Sequence, residues 1–483
     1  MNTLYKSTIA LLMVFLPFAG IAGDPPEGHD IKITVKGFKE GSTCILGNYY
    51  GDKQYIKDSA KVGPKGEVIF KGKDKYPEGI YLLIPDNKKY FDLVMDENQH
   101  FTLESDTIDY INNMKVKGSE ENNFFYSYQK FIVTQQKLVE PLRAQLKTTK
   151  DKDSIKMISD KITKIDNDVR AYKQNFVKNN PKSFIAKLFT AMEDPVIPET
   201  PTLPNGKKDT LFPYHYYKAH FFDNIDFTDD RLLRSPIFHP KVKQYMDKMT
   251  AQMPDSINVS ADYLVEKARN NPEIFKWMVY WLTLTYESSQ IMGMDAVFVH
   301  MVEKYYVTNQ AYWVDSAQLA KITARAYTLN PILIGKKAPP IIMNDSTGKA
   351  ISMYDVKAKY TVVIFWDAEC GHCKKEVPKL KELYESKLKP MGVQVYAIAS
   401  ENKPKEWKKF IIDNKLHWIN VFQPDDYKRA VTKKIYDIYS TPFIYLLDEN
   451  KIIKAKHIDV DQLGDFIDIL EKEKEKEKKD LKK

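Results

Sequence analysis

The sequence predicts a multidomain chain with a small N-terminal β-sandwich-like domain, a central α-helical region and a C-terminal α/β domain. Three observations lead there. The chain has 483 residues, roughly three times a typical domain length. Its apolar period changes from two residues to alternating gaps of three and four shortly after residue 116. Between residues 360 and 460, short apolar runs alternate with amphipathic stretches, as strands alternate with helices. Composition narrows the function classes. Hydrophobic residues at 43% and charged residues at 29% form an ordinary globular balance, which excludes wholesale disorder and a polytopic membrane protein. A net charge of +8, from 73 basic against 65 acidic residues, is mild for this length and calls for no nucleic-acid partner. Only 3 cysteines are present, so neither a disulfide-stapled scaffold nor a multi-cysteine metal protein is expected.

The N-terminal segment predicts a compartment. Lys6 precedes the apolar run Thr8 to Ala22, which contains Pro17 and ends in Gly20-Ile21-Ala22. A charged start, an apolar centre and small residues at the cut define a cleavable secretory signal over residues 1–22. The run is shorter than the roughly 20 residues a membrane span needs. No cysteine lies near the cut, so no lipid anchor is expected, and no stable membrane span remains after signal removal.

Residues 29–116 read as β structure. Ile31, Ile33 and Val35 alternate with polar residues, and Val68-Ile69-Phe70 and Ile80 to Ile84 are short apolar runs. Gly63-Pro64-Lys65-Gly66, Pro85-Asp86-Asn87 and Asp96-Glu97-Asn98 supply turns between them. A small antiparallel sandwich or barrel follows. Cys44 falls on one strand, as a small buried hydrophobe or, alternatively, as an interdomain redox partner.

Residues 119–330 read as helical. Ile155, Ile158, Ile162, Ile165, Val169, Tyr172 and Phe176 form one stripe. Phe124, Tyr128, Phe131, Leu138, Leu142 and Leu146 sketch a second, across the polar break Thr148 to Asp153. A helical hairpin results, its stripes burying each other or serving as the arm of a homodimer. A proline-rich connector follows at 194–208. The aromatic cluster from Phe212 to Phe222 and Trp277, Trp281 and Trp313 read as core. His215, His220, His239 and His300 lack metal-ligand spacing. Residues 473–483 form a charged tail.

The chemistry lies between residues 334 and 472. The strand Thr361 to Trp366 runs directly into Cys370-Gly371-His372-Cys373, and Lys374 to Leu388 reads as a helix. The thiolate is the nucleophile, and unpaired amides at a helix N-terminus favour the anion. Cys370 is therefore the attacking sulfur. Cys373 lies within one turn and can resolve the mixed species, while His372 adds a positive or donor interaction. Zinc would need four ligands, and His417 and His457 are isolated, so no metal and no cofactor are assigned.

From about Ile334 to Leu470 the chain resembles the thioredoxin-fold domains of TlpA/ResA-like thiol–disulfide oxidoreductases. Gly335-Lys336-Lys337-Ala338-Pro339, Phe365-Trp366 before the Cys-Gly-His-Cys pair, Pro378 and Thr441-Pro442 carry the resemblance in the right order. It implies a cis-proline at Pro442 and an extended substrate docking on the backbone beside it. Thr441, Pro442 and Trp366 are thereby the expected substrate-binding residues. Three departures stand out. Ile364 occupies the position of the buried aspartate of thioredoxins, so Glu376 and Glu369 are the remaining candidates for a proton shuttle. Glu369 also replaces the usual tryptophan before the first cysteine, and Gly-His is the dipeptide of protein disulfide isomerase, which implies a more oxidising couple. The upstream regions resemble N-terminal modules of envelope proteins of Gram-negative bacteria, implying a periplasmic location.

The resulting expectation is an exported thiol–disulfide oxidoreductase acting on protein dithiols or disulfides, served by an envelope thiol partner. The alternatives are a non-catalytic envelope binding module with a vestigial redox domain, and a peroxiredoxin. The second lacks its Pro-x-x-x-Thr-x-x-Cys setting around Cys370.

Overall fold

A computed structural model describes residues 27–86 and 88–480. The signal-peptide expectation for residues 1–22 lies outside the described residues. The chain divides into two compact units. The first runs to Asp194 and includes Arg231–His239; the second holds Pro195–Asp230 and everything from Pro240 onward.

The first unit is built on two four-stranded sheets. Its strands are β1 (His29–Lys36), β2 (Thr43–Tyr50), β3 (Lys53–Lys61), β4 (Glu67–Gly72), β5 (Gly79–Ile84), β6 (Phe91–Met95), β7 (His100–Asp106) and β8 (Lys115–Lys117). One sheet runs β4-β1-β7-β8 and the other β3-β2-β5-β6. Alternate residues such as Ile31, Ile33, Phe70, Tyr81 and Leu93 close a common core. Gly66 ends the predicted turn with φ +79; a Cβ there would sit 2.0 Å from the Val35 carbonyl oxygen. The turns predict an antiparallel sandwich, but this one is not wholly antiparallel. β1 and β7 pair in parallel, because the chain between them visits the other sheet and no hairpin constrains its return. Cys44 is fully buried in this core, and burial, with Asp86 nearby, pushes its thiol up to about 11. That suits a hydrophobe and not a redox partner.

Helices α1 (Glu120–Thr148) and α2 (Lys152–Asn179) form the hairpin, capped by Ser119 and Asp151. Phe124 meets Phe176 at 4.9 Å, and Phe131 stacks on Tyr172 at 4.4 Å, so the two stripes face each other antiparallel. The Glu121 carboxylate accepts from the Phe184 amide at 2.8 Å and the Ser183 hydroxyl at 2.9 Å, which caps α3 (Phe184–Met192). Asn122 treats the edge strand β6 as a neighbouring strand would. Its amide accepts from Val94 N at 2.9 Å and donates to Val94 O at 2.7 Å, covering an otherwise open edge.

Two carboxyls in this unit are carried at a cost. Burial pushes Asp92 up to about 6. Burial, reinforced by Glu121 and Glu78, pushes Asp96 up to about 7, and Asp96 Oδ1 has no hydrogen-bond partner among the described residues. A carboxyl raised above its unfolded value near 3.9 contributes its stability below that pH and loses it as pH rises through the folded value. Asp96→Asn removes the charge and keeps an acceptor. It is expected to stabilise the chain at pH 8 by about 1–3 kcal/mol, allowing for partial exposure, and to leave stability at pH 4 unchanged. Thermal unfolding at the two pH values checks this; equal effects at both would refute it.

The second unit begins with helices α4 (Phe212–His220), α5 (Phe238–Lys248) from Pro240 onward, α6 (Pro254–Ala268), α7 (Pro272–Glu287), α8 (Asp295–Met301) and α9 (Ser316–Leu329). A seven-stranded sheet follows, in the order β10-β9-β13-β12-β11-β14-β15. Its strands are β9 (Ile342–Asp345), β10 (Ala350–Ser352), β11 (Tyr360–Trp366), β12 (Val393–Ala399), β13 (Ile419–Phe422), β14 (Phe443–Asp448) and β15 (Ile453–Lys456). β11, β12 and β13 are parallel, and β14 returns antiparallel to β11. All seven residues of β11 are buried, as a central strand covered on both faces requires. Helices α10 (Cys373–Leu383), α11 (Pro404–Asp413), α12 (Asp426–Ile435) and α13 (Val460–Asp480) complete this part. Lys456 at the end of β15 pairs with Asp295 at the start of α8 and donates to Ile332 O at 3.1 Å. The helical region and the sheet are thereby joined through a buried contact.

Candidate active site

The site forms where β11 gives way to α10. Cys370 N donates to Asp367 O at 3.2 Å, and Lys374 N to Cys370 O at 3.0 Å. This tight turn sets Cys370 just ahead of the first helical turn, with His372 as N-cap. Cys373 opens the helix and is fully buried; Cys370 is half-buried. Both are free thiols. Opposite them, the Thr441–Pro442 peptide is cis, and the Cys370 thiol donates to the Thr441 carbonyl at 3.3 Å.

The two sulfurs are separated chemically by their surroundings. Partial burial works against the Cys370 anion. The amide of Cys373, the side chains of Thr441 and Cys373, and the amide of His372 outweigh it and hold this thiol below its ordinary value. Burial dominates at Cys373 and pushes it up to about 12, against the Asp367 amide and the Thr441 side chain; the Asp367 amide reaches its sulfur at 3.4 Å. The surroundings favour the anion at Cys370 and the neutral thiol at Cys373, one helical turn away.

Five of the six expected residues meet here. His372 acts differently from the imidazole role the sequence suggests: its side chain is exposed, and what reaches the sulfur is its backbone amide. Trp366 does not belong to the substrate-binding surface. It is 1% exposed and packs on Phe410 at 5.0 Å, because strand alternation turns its ring into the core with Ile364 and Val362. It supports the site from beneath. Neither proton-shuttle candidate is free for that work. Glu369 pairs with Lys403, which holds its carboxyl low, and Glu376 pairs with Lys379 at 2.8 Å. Sequence reasoning missed Asp367, whose contribution is a backbone amide to the Cys373 sulfur. Among the described residues, no group of three or more His, Cys, Asp or Glu side chains is placed to hold a metal ion.

A dithiol at the mouth of a helix, facing a cis-proline loop across a mixed sheet, defines a redox protein of the thioredoxin fold. Comparison with known proteins makes the class specific. Residues 334–456 match the AhpC/TSA family. Residues 29–125 and 173–330 match two domains of unknown function, DUF4369 and DUF5106. The thiol-disulfide oxidoreductase ResA of Bacillus thuringiensis subsp. konkukian is 31% identical over 122 residues, which cover 25% of this chain and 68% of that protein. ResA of Bacillus subtilis is 30% identical over 146 residues, covering 28% and 79%. A solved domain of a possible thiol-disulfide isomerase from Cytophaga hutchinsonii is 46% identical, covers 30% of this chain and 97% of its own, and superposes with a TM-score of 0.28. The chain belongs to the ResA/TlpA-like thiol–disulfide oxidoreductases.

Proposed function

We propose that this oxidoreductase exchanges disulfides with protein substrates through Cys370 and Cys373. The observation that carries the reading is the Cys370 sulfur, held below its ordinary thiol value by the amides of Cys373 and His372 beside the Thr441 carbonyl. In the reducing direction, the Cys370 thiolate attacks one sulfur of a substrate disulfide. That S–S bond breaks, a mixed disulfide forms, and the departing substrate thiolate takes a proton from water. Cys373 then loses its proton and attacks Cys370 Sγ, which expels the second substrate thiolate and leaves a Cys370–Cys373 disulfide. Two electrons pass to the substrate, and an envelope dithiol restores the pair. Reversed, the same steps oxidise a substrate dithiol. Thr441 and Pro442 hold the extended substrate segment. The signal-like segment 1–22 supports an exported, periplasmic location. No described helix is long and apolar enough to cross a membrane.

The test is exchange with a disulfide-bonded protein such as insulin, followed against pH with the reduced full chain. The rate is expected to rise with pH along a thiolate titration whose midpoint lies below that of an ordinary cysteine. A wild-type rate no greater than that of Cys370→Ser at every pH would refute the proposal.

A further inference from the structure

The loop that presents Thr441 to Cys370 is gripped by a residue of the upstream helical region. Arg325, on α9, forms a two-pronged ion pair with Asp437: Nη1 reaches Oδ1, and Nη2 reaches Oδ2 at 3.0 Å. Its Nη1 also donates to the Tyr439 hydroxyl at 3.0 Å, and its guanidinium lies 5.5 Å from the Tyr439 ring centre. Asp437 holds a left-handed φ of 56 just past the end of α12, so the backbone turns there into the loop. Tyr439 is 80% exposed and stands two residues before Thr441. On the inner side, the loop is anchored by the buried Tyr436, whose carbonyl accepts from Tyr445 at 2.6 Å. On the outer side, the gripping group is Arg325.

We propose that Arg325 is a positioning residue of the exchange site, fixing the Asp437–Thr441 loop on which an extended protein substrate docks. This rests on the proposed function above and assigns the helical region a part in it. A planar guanidinium is the group that suits a carboxylate fork and an aromatic face together. The loop matters for a substrate that lies along it and not for a small disulfide that meets Cys370 alone. Loss of Arg325 therefore separates the two substrate classes.

The experiment uses the full chain as wild type, Arg325→Gln, Asp437→Asn and the double variant, which leaves no unpaired charge. Each is assayed with insulin and with 5,5′-dithiobis(2-nitrobenzoate). The expected result is a rise in KM for insulin of about tenfold in each single variant, no further rise in the double, and rates on the small disulfide within about twofold of wild type. An unchanged KM for insulin, equal losses on both substrates, or additive losses in the double variant would overturn the inference while the proposed function stands. A wild-type chain inactive on both substrates would overturn the proposed function, and this inference with it.

Discussion

The Cys373→Ser chain is expected to accumulate as a covalent adduct with its protein substrate, whereas Cys370→Ser forms none. Cys370 combines partial exposure with amides that favour its anion, so in the proposed exchange it is the sulfur a substrate disulfide meets. Cys373 is fully buried, and its thiol is pushed up to about 12 by burial, so it cannot substitute as the attacking group. Removing it leaves the first step intact and abolishes the second, and the mixed disulfide persists. Removing Cys370 eliminates the nucleophile, and turnover falls by roughly 10³-fold or more, because binding alone contributes little to exchange. Non-reducing electrophoresis and mass spectrometry of alkylated samples separate the two variants. Adducts on Cys373 in the Cys370→Ser chain, or equal adduct yields in both, would reverse the assignment.

Lys456→Met is expected to destabilise the second unit by about 3–5 kcal/mol, as removal of one partner of a buried ion pair does. The Lys456 side chain is only 9% exposed and its partner Asp295 20%. Asp295 Oδ1 has no hydrogen-bond partner among the described residues, so without Lys456 the carboxylate keeps no compensating charge. The effect is read from the midpoint of the denaturant transition, and the double variant Lys456→Met with Asp295→Leu is expected to recover most of it. A single-variant loss below about 1 kcal/mol would show the pair to be solvated.

Much of the redox part is legible in sequence because its signals are local. Thr361 to Trp366 is an uninterrupted apolar run of strand length, and a helix-forming stretch follows Cys373 at once, so strand, turn and helix are set by neighbours in the chain. β12 likewise begins and ends where its apolar run does, Val393–Ala399. Strands β9, β10 and β13 escape notice because they are three or four residues long, too short for a period to show. The parallel pairing of β1 with β7 escapes for another reason: direction depends on how a distant segment returns, and no turn residue encodes that.

The sequence by itself determined that two cysteines sit at a strand-to-helix junction; that a proline loop faces them was implied only by the family resemblance. Residue spacing and the backbone amides at a helix start are properties of contiguous chain. The tertiary structure decided where those groups and their neighbours lie. It turned Trp366 inward, took Glu369 and Glu376 into ion pairs, gave Cys370 the amide of His372 in place of its ring, and brought Arg325 onto a loop more than a hundred residues away in the chain. Each of these depends on burial and on distance in space, which spacing along a chain does not specify.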